Sequence, residues 1–186
     1  MELFDKDPAN YVIEGDTVKA YRGSSSFLFV PAGVKKLGML CFHDQTFEEV
    51  ILPTGLVSIG YQAFVDCKNL VDIVFPDTLR EIRGEAFQGT PWLRERQAED
   101  PLVIVNGILV DGAACSGDVI IPDGVRVVTE MAFRGNTKIT SVYIPDSVQL
   151  MGNEIFDGCT ALAKVSLPAG VKGIQRFQRA PFVVRG

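Results

Sequence analysis

Apolar residues along this chain recur at fixed distances from proline. Pro31, Pro53, Pro76, Pro122, Pro145 and Pro168 are separated by 22, 23, 46, 23 and 23 residues, and 46 is twice 23. The residue before each proline is apolar (Val30, Leu52, Phe75, Ile121, Ile144, Leu167), and so is the one three before it (Leu28, Val50, Ile73, Val119, Val142, Val165). Apolar positions two apart predict a half-buried strand whose side chains alternate between core and outside.

The register continues past the proline. Glycine often stands two positions on (Gly33, Gly55, Gly124, Gly170), as a turn requires. Three positions on come Val34, Leu56, Leu79, Val125, Val148 and Val171, and six on come Leu37, Ile59, Ile82, Val128, Met151 and Ile174. Eleven on come Phe42, Phe64, Phe87, Phe133 and Phe156, and only the last unit departs, with Arg179. A unit of about 23 residues with so few apolar side chains buries them only against a neighbour on each side. The expected fold is a repeat solenoid, mainly β with short helical turns. Each coil would run strand, proline turn, second short strand, then a helical or 3₁₀ turn carrying the Phe.

A longer period is superimposed on the first. No proline of this set stands near position 99. Instead Thr90-Pro91-Trp92 reads as a helix N-cap followed by proline at the first helical position, predicting a short helix to about Ala98. Leu102–Val105 and Ile108–Val110 then flank Asn106-Gly107, a strong hairpin signal. The N-terminus repeats this device, because YVIEGDTVKAYRGSSSFLFVP (11–31) aligns without a gap on LVIVNGILVDGAACSGDVIIP (102–122). One domain, 1–186, is therefore expected as two superunits, 1–91 and 92–186, each opening with a hairpin (11–21 and 102–110). Ala180-Pro181-Phe182 stands where Thr90-Pro91-Trp92 stood, so a further helical piece is expected to follow. Without it, the last coil would be uncapped and open to an end-to-end homodimer.

Written out, GLVSIGYQAFVDCKNLVDIVFP closes at Pro76 and GVRVVTEMAFRGNTKITSVYIP at Pro145. This pattern resembles the BspA-like, or treponemal-type, leucine-rich repeat family over nearly the whole chain. The resemblance implies a protein-binding or adhesion module of a bacterial surface or secreted protein, with no catalytic residues in the repeats. Cys67 and Cys159 fall on the family's Cys position, three after the Phe, where sister units carry Thr90 and Asn136. That exchange favours a small buried turn residue over a reactive thiol.

Composition narrows the function. Eighteen Lys and Arg against 23 Asp and Glu give a net charge of −5, so nucleic acid is not an expected partner. No apolar run approaches a membrane span. The start carries Glu2, Asp5 and Asp7 where a secretory signal would be basic. The chain itself thus shows no signal peptide, and a cytoplasmic location stays open beside the surface one. Cys41, Cys67, Cys115 and Cys159 form no C-x-x-C pair and read as free thiols. Four coils at about 4.8 Å put Cys67 and Cys159 near 19 Å apart. His43 is the single histidine, and Cys41 with His43 is the one conceivable couple, set two apart on a turn with no third group to orient it. Glu48-Glu49 and Glu99-Asp100 sit in polar connections. No enzyme, cofactor or metal is expected.

What remains is surface. Two before each proline stand Phe29, Ile51, Val74, Ile120, Tyr143 and Ser166; four before stand Phe27, Glu49, Asp72, Asp118, Ser141 and Lys164. The first row is mostly apolar although alternation turns it outward. Phe29, Ile51, Val74, Ile120 and Tyr143 are therefore the expected protein-binding stripe, spanning about 24 Å. The alternative for the row is ordinary strand preference for β-branched and aromatic residues. A basic row four after the proline (Lys35, Val57, Arg80, Arg126, Gln149, Lys172) reads as a solubility face. The alternative functions are an intracellular scaffold that self-associates through the sheet and, with only Tyr143, Phe27 and Phe29 as exposed aromatics, carbohydrate binding.

Overall fold

The computed structural model describes residues 7–167 and 183–185. Val171, Ile174, Phe177, Arg179 and the Ala180-Pro181-Phe182 element, with the expectations attached to them, lie outside the described residues. The fold is a β-solenoid of about 23 residues per coil with little helix. Two compact units are present, Met1–Arg96 and Gln97–Gly186.

In the first unit the hairpin Tyr11–Glu14/Thr17–Tyr21 is antiparallel, and its second strand pairs in parallel with Lys36–Leu37, which leads on to Ser58–Ile59 and Glu81–Ile82. A second sheet is formed by the strands before the prolines, Phe27–Phe29, Glu49–Ile51 and Asp72–Val74. The second unit repeats both. The hairpin Val103–Val105/Ile108–Asp111 continues into Val127–Val128 and Leu150–Met151, and the pre-proline sheet runs Gly117–Ile120, Ile139–Tyr143, Lys164–Leu167 and Val183–Arg185.

Residues one period apart are strand partners, so each apolar row of the sequence becomes a row in space. Leu28, Val50 and Ile73 align, as do Leu37, Ile59 and Ile82. In the second unit Val119, Val142 and Val165 align, as do Leu109, Val128 and Met151. All twelve are buried. Phe75 is the described member of the pre-proline row that stays partly exposed, its ring set edge-on to Phe87 and Trp92.

The Phe position builds an aromatic spine. Phe42, Phe64 and Phe87 stack at 5.2 and 5.6 Å with planes 13° apart, and Phe133 and Phe156 stack at 5.5 Å. Such offset pairs add about 0.5–1.5 kcal/mol each beyond burial. Tyr21 begins the spine of the first unit, 5.9 Å from Phe42. The aligned residue of the second unit is Gly112, and a Cβ there would lie 2.2 Å from the Phe133 ring, which occupies that space. Phe47 also belongs to this core, buried and edge-on to Phe42 and Phe64. It fills the place that Leu70 holds one coil later, in a coil one residue shorter.

Between the two sheets, the Phe-bearing turns carry a hydrogen-bond ladder of their own. The amides nine, eleven and thirteen after one proline donate to carbonyls eight, ten and twelve after the next. Leu40, Phe42 and Asp44 donate to Tyr61, Ala63 and Val65; Gln62, Phe64 and Asp66 to Gly84, Ala86 and Gln88; Met131, Phe133 and Gly135 to Asn153, Ile155 and Asp157. This geometry turns the backbone left-handed at the ninth position of every described coil: Leu40, Gln62, Glu85, Met131 and Glu154 have φ of 53–62°. A side chain there costs roughly 1–2 kcal/mol, and the ladder bonds offset it. Asp44, Asp66, Gly89, Gly135 and Gly158 hold a second left-handed position, where Asp and Gly are the residues that tolerate it best.

The helix Pro91–Glu99 forms as the sequence predicts, with the Thr90 hydroxyl accepting from the Leu93 amide at 3.1 Å. Asp111, in the hairpin of the second unit, accepts from the Gln97 side chain and the Ala113 amide, but its burial raises its carboxyl above the usual range.

Two outcomes follow from this packing. Phe133→Ala, which empties the spine beside Gly112, should cost about 3–5 kcal/mol in denaturant melts; a loss under about 1 kcal/mol would refute the register. For Asp111, a folded carboxyl that holds its proton more tightly than the unfolded one destabilises the fold as pH rises through its native titration. Asp111→Asn should therefore raise the melting temperature at pH 7, with the gain vanishing below about pH 4, where both forms are neutral.

Candidate binding surface

The outward positions of the pre-proline strands fall on two separate sheets, Phe29, Ile51 and Val74 on one and Ile120 and Tyr143 on the other. Val74, Ile120 and Tyr143 are 51%, 70% and 52% exposed. Phe29 and Ile51 are mostly covered. Alternation is the cause of this display: Leu28, Val50, Ile73, Val119 and Val142 point inward from the same strands and are buried. The neighbouring outward row differs between the units. Phe27, Glu49 and Asp72 line the first, and Asp118, Ser141 and Lys164 the second. Asp118 accepts from the Ser141 and Thr140 hydroxyls at 2.6 and 2.9 Å, and these bonds hold its carboxyl below the usual range.

The basic row after the proline is partly absorbed by the fold. The Arg126 guanidinium donates to the Asn106 carbonyl at 2.9 Å, and that of Arg80 to the carbonyls of Asp77 and Leu79. These head groups close turns as well as face water. Lys172 lies outside the described residues.

The residues weighed for chemistry are set apart from one another. Cys41 is buried while His43 is exposed, and burial pushes the Cys41 thiol far up. Glu48, Glu99 and Asp100 are exposed. Among the described residues no cluster of three or more His, Cys, Asp or Glu is placed to hold a metal ion, and no helix is long and apolar enough to cross a membrane.

The four cysteines are free and buried. Burial raises the Cys67 thiol to about 12 and those of Cys115 and Cys159 to about 11. Their position explains the exchange with Thr90 and Asn136. Cys67 and Cys159 donate to the carbonyls of Phe42 and Phe133 one coil back, at 2.9 and 3.0 Å. Asn136 donates to the carbonyls of Gly112, Ala113 and Cys115, and Thr90 to that of Phe87. The position requires a compact donor for a buried turn carbonyl, and a thiol, a hydroxyl or an amide supplies it.

Exposed apolar side chains outside the stripe, which the period does not mark, are Ile13, Met39, Leu40, Val71 and Leu150. Leu40 stands at a left-handed position, a feature set by the ladder and carried by no residue type.

Parallel in-register strands and a stacked Phe spine define a repeat protein of the leucine-rich type. The chain belongs to the BspA-type leucine-rich repeat family, whose model matches residues 21–105 and 114–178 in six copies. Comparison with curated proteins gave no match. Among solved structures, the chain is similar to the leucine-rich repeat protein of T. pallidum, at 24% identity and a TM-score of 0.46, covering 84% of this chain and 67% of that one. It is also similar to the pneumococcal vaccine antigen PcpA (14% identity, TM-score 0.40), covering 77% of this chain and 51% of that one. A third is a leucine-rich cell surface protein from Faecalibacterium prausnitzii (22% identity, TM-score 0.37), covering 91% of this chain and 38% of that one.

With burial and raised pKa protecting each thiol, native protein should react slowly with a thiol reagent, and after unfolding without reductant all four should titrate. Fewer than four would reveal a disulfide.

Proposed function

We propose that this chain is a non-enzymatic protein-binding module of a bacterial surface or secreted protein, engaging its partner with the outward face of the pre-proline strands. The observation that carries the reading is the exposure, within the second unit, of the register partners Ile120 and Tyr143, and separately of Val74 in the first, on strands whose inward positions already supply the core. Exposed apolar side chains repeated in register offer a partner contact area that the fold itself does not use. The surface or secreted location is part of this proposal, supported by the family's type. Host or cell-surface proteins are the corresponding partners.

The test compares wild type with Ile120→Asp/Tyr143→Asp, for binding to a panel of purified extracellular proteins and for self-association by sedimentation. Loss of two apolar anchors and introduction of two charges should weaken binding by more than about tenfold. The melting temperature should hold, since no inward row is touched. Equal binding by both proteins, or no binding by either, overturns the reading. Self-association by wild type alone would replace it with a scaffold that recognises its own copy.

A further inference from the structure

We propose that the pre-proline sheet of the first unit takes a cationic, partly apolar segment of a partner protein. Glu49 and Asp72 receive its basic side chains and Phe29, Ile51 and Val74 its apolar ones, an assignment that rests on the binding reading above. Glu49 and Asp72 are register partners on parallel neighbouring strands, about 4.8 Å apart. Both occupy outward positions. Like charges set directly opposite on a sheet destabilise it, and theirs is the like-charged pair among the described strand registers. Neither carboxylate joins an ion pair or side-chain hydrogen bond among the described residues.

The same rows elsewhere show how this fold satisfies a carboxylate when it uses one. At the equivalent place in the second unit the partners are Asp118, Ser141 and Lys164, an acid bonded to a hydroxyl in a row closed by a cation. On the other sheet of the first unit, Glu81 accepts from Ser58 at 2.8 Å, in register with Lys36. Glu49 and Asp72 have no such partner, and the exposed Glu48 stands immediately before the strand that carries Glu49. The outward positions of this sheet are Phe27, Phe29, Glu49, Ile51, Asp72 and Val74, with no Lys or Arg among them. A purely apolar partner would bury two unpaired carboxylates at a cost, and an anionic one would be repelled. A segment carrying Lys or Arg beside apolar side chains relieves the repulsion and covers the apolar row in one step.

The probe is a labelled peptide of alternating Lys and Val, followed by fluorescence anisotropy on the full chain, with analogues that replace Lys by Glu or Val by Ser. Wild type should bind the Lys/Val peptide, the Lys/Ser peptide more weakly and the Glu/Val peptide not at all. Affinity should fall as salt rises from about 50 to about 300 mM. Glu49→Lys/Asp72→Lys should weaken binding at least about tenfold, while Asp123→Lys/Asp146→Lys, the same change in net charge in the second unit, should leave it nearly unchanged. Equal loss in both variants would reduce the effect to overall charge and overturn the proposal. So would an absence of binding, or displacement of the peptide by millimolar calcium chloride but not by sodium chloride of equal ionic strength. If Val74→Asp abolishes binding and Glu49→Lys/Asp72→Lys does not, the sheet remains a binding face and the cationic partner is refuted. Independently, Asp72→Ser should raise the melting temperature at low ionic strength, with the gain shrinking in high salt. A fall would show that Asp72 serves the fold, and would overturn the inference.

Discussion

The structure depends on one constraint: a coil of about 23 residues cannot bury its own apolar side chains, so each must bond in register to the next. Backbone bonds enforce the register along the two sheets of each unit and the turn ladder between them. Once the register is set, each position of the repeat meets its own kind one coil away. Val meets Val, and Phe stacks on Phe at 5.2–5.6 Å. Burial is therefore shared between neighbours, and no single coil has a core of its own.

That sharing explains choices that look costly in isolation. Leu40, Gln62, Glu85, Met131 and Glu154 accept a left-handed backbone because it aims the amides of the Phe turn at the next coil. Their side chains also do work that glycine could not: Gln62 and Tyr61 both donate to the Glu85 carboxylate, at 2.7 and 3.0 Å. Gly60 shows the opposite case. A Cβ there would lie 2.6 Å from the Gly38 backbone, so close coil contact excludes a side chain. The thiols of Cys67 and Cys159 are equally specific, as buried donors to turn carbonyls.

The proposed binding function draws on the rows that the register leaves outside. Alternation places an apolar and a polar row side by side on each pre-proline sheet, and the polar row distinguishes the units. Asp118 accepts a hydroxyl hydrogen bond within its own row, whereas Glu49 and Asp72 face each other without a cation. Recognition by a repeated surface of this kind comes from the pattern of many modest contacts, and the core is indifferent to it.

The sequence by itself determined the period, the inward rows, both hairpins, the Thr90-capped helix and the outward character of Val74, Ile120 and Tyr143. Each follows from strand alternation or from capping and turn chemistry, which are local. Tertiary structure decided what depends on a neighbouring coil. It covered most of Phe29 and Ile51, seated Phe47 where a shorter coil needed a ring, and drew the Arg80 and Arg126 head groups onto backbone carbonyls. It also divided the outward row between two sheets. A sequence lists which residues can point outward; how far each is covered and which charge stands beside it are properties of the stacked coils.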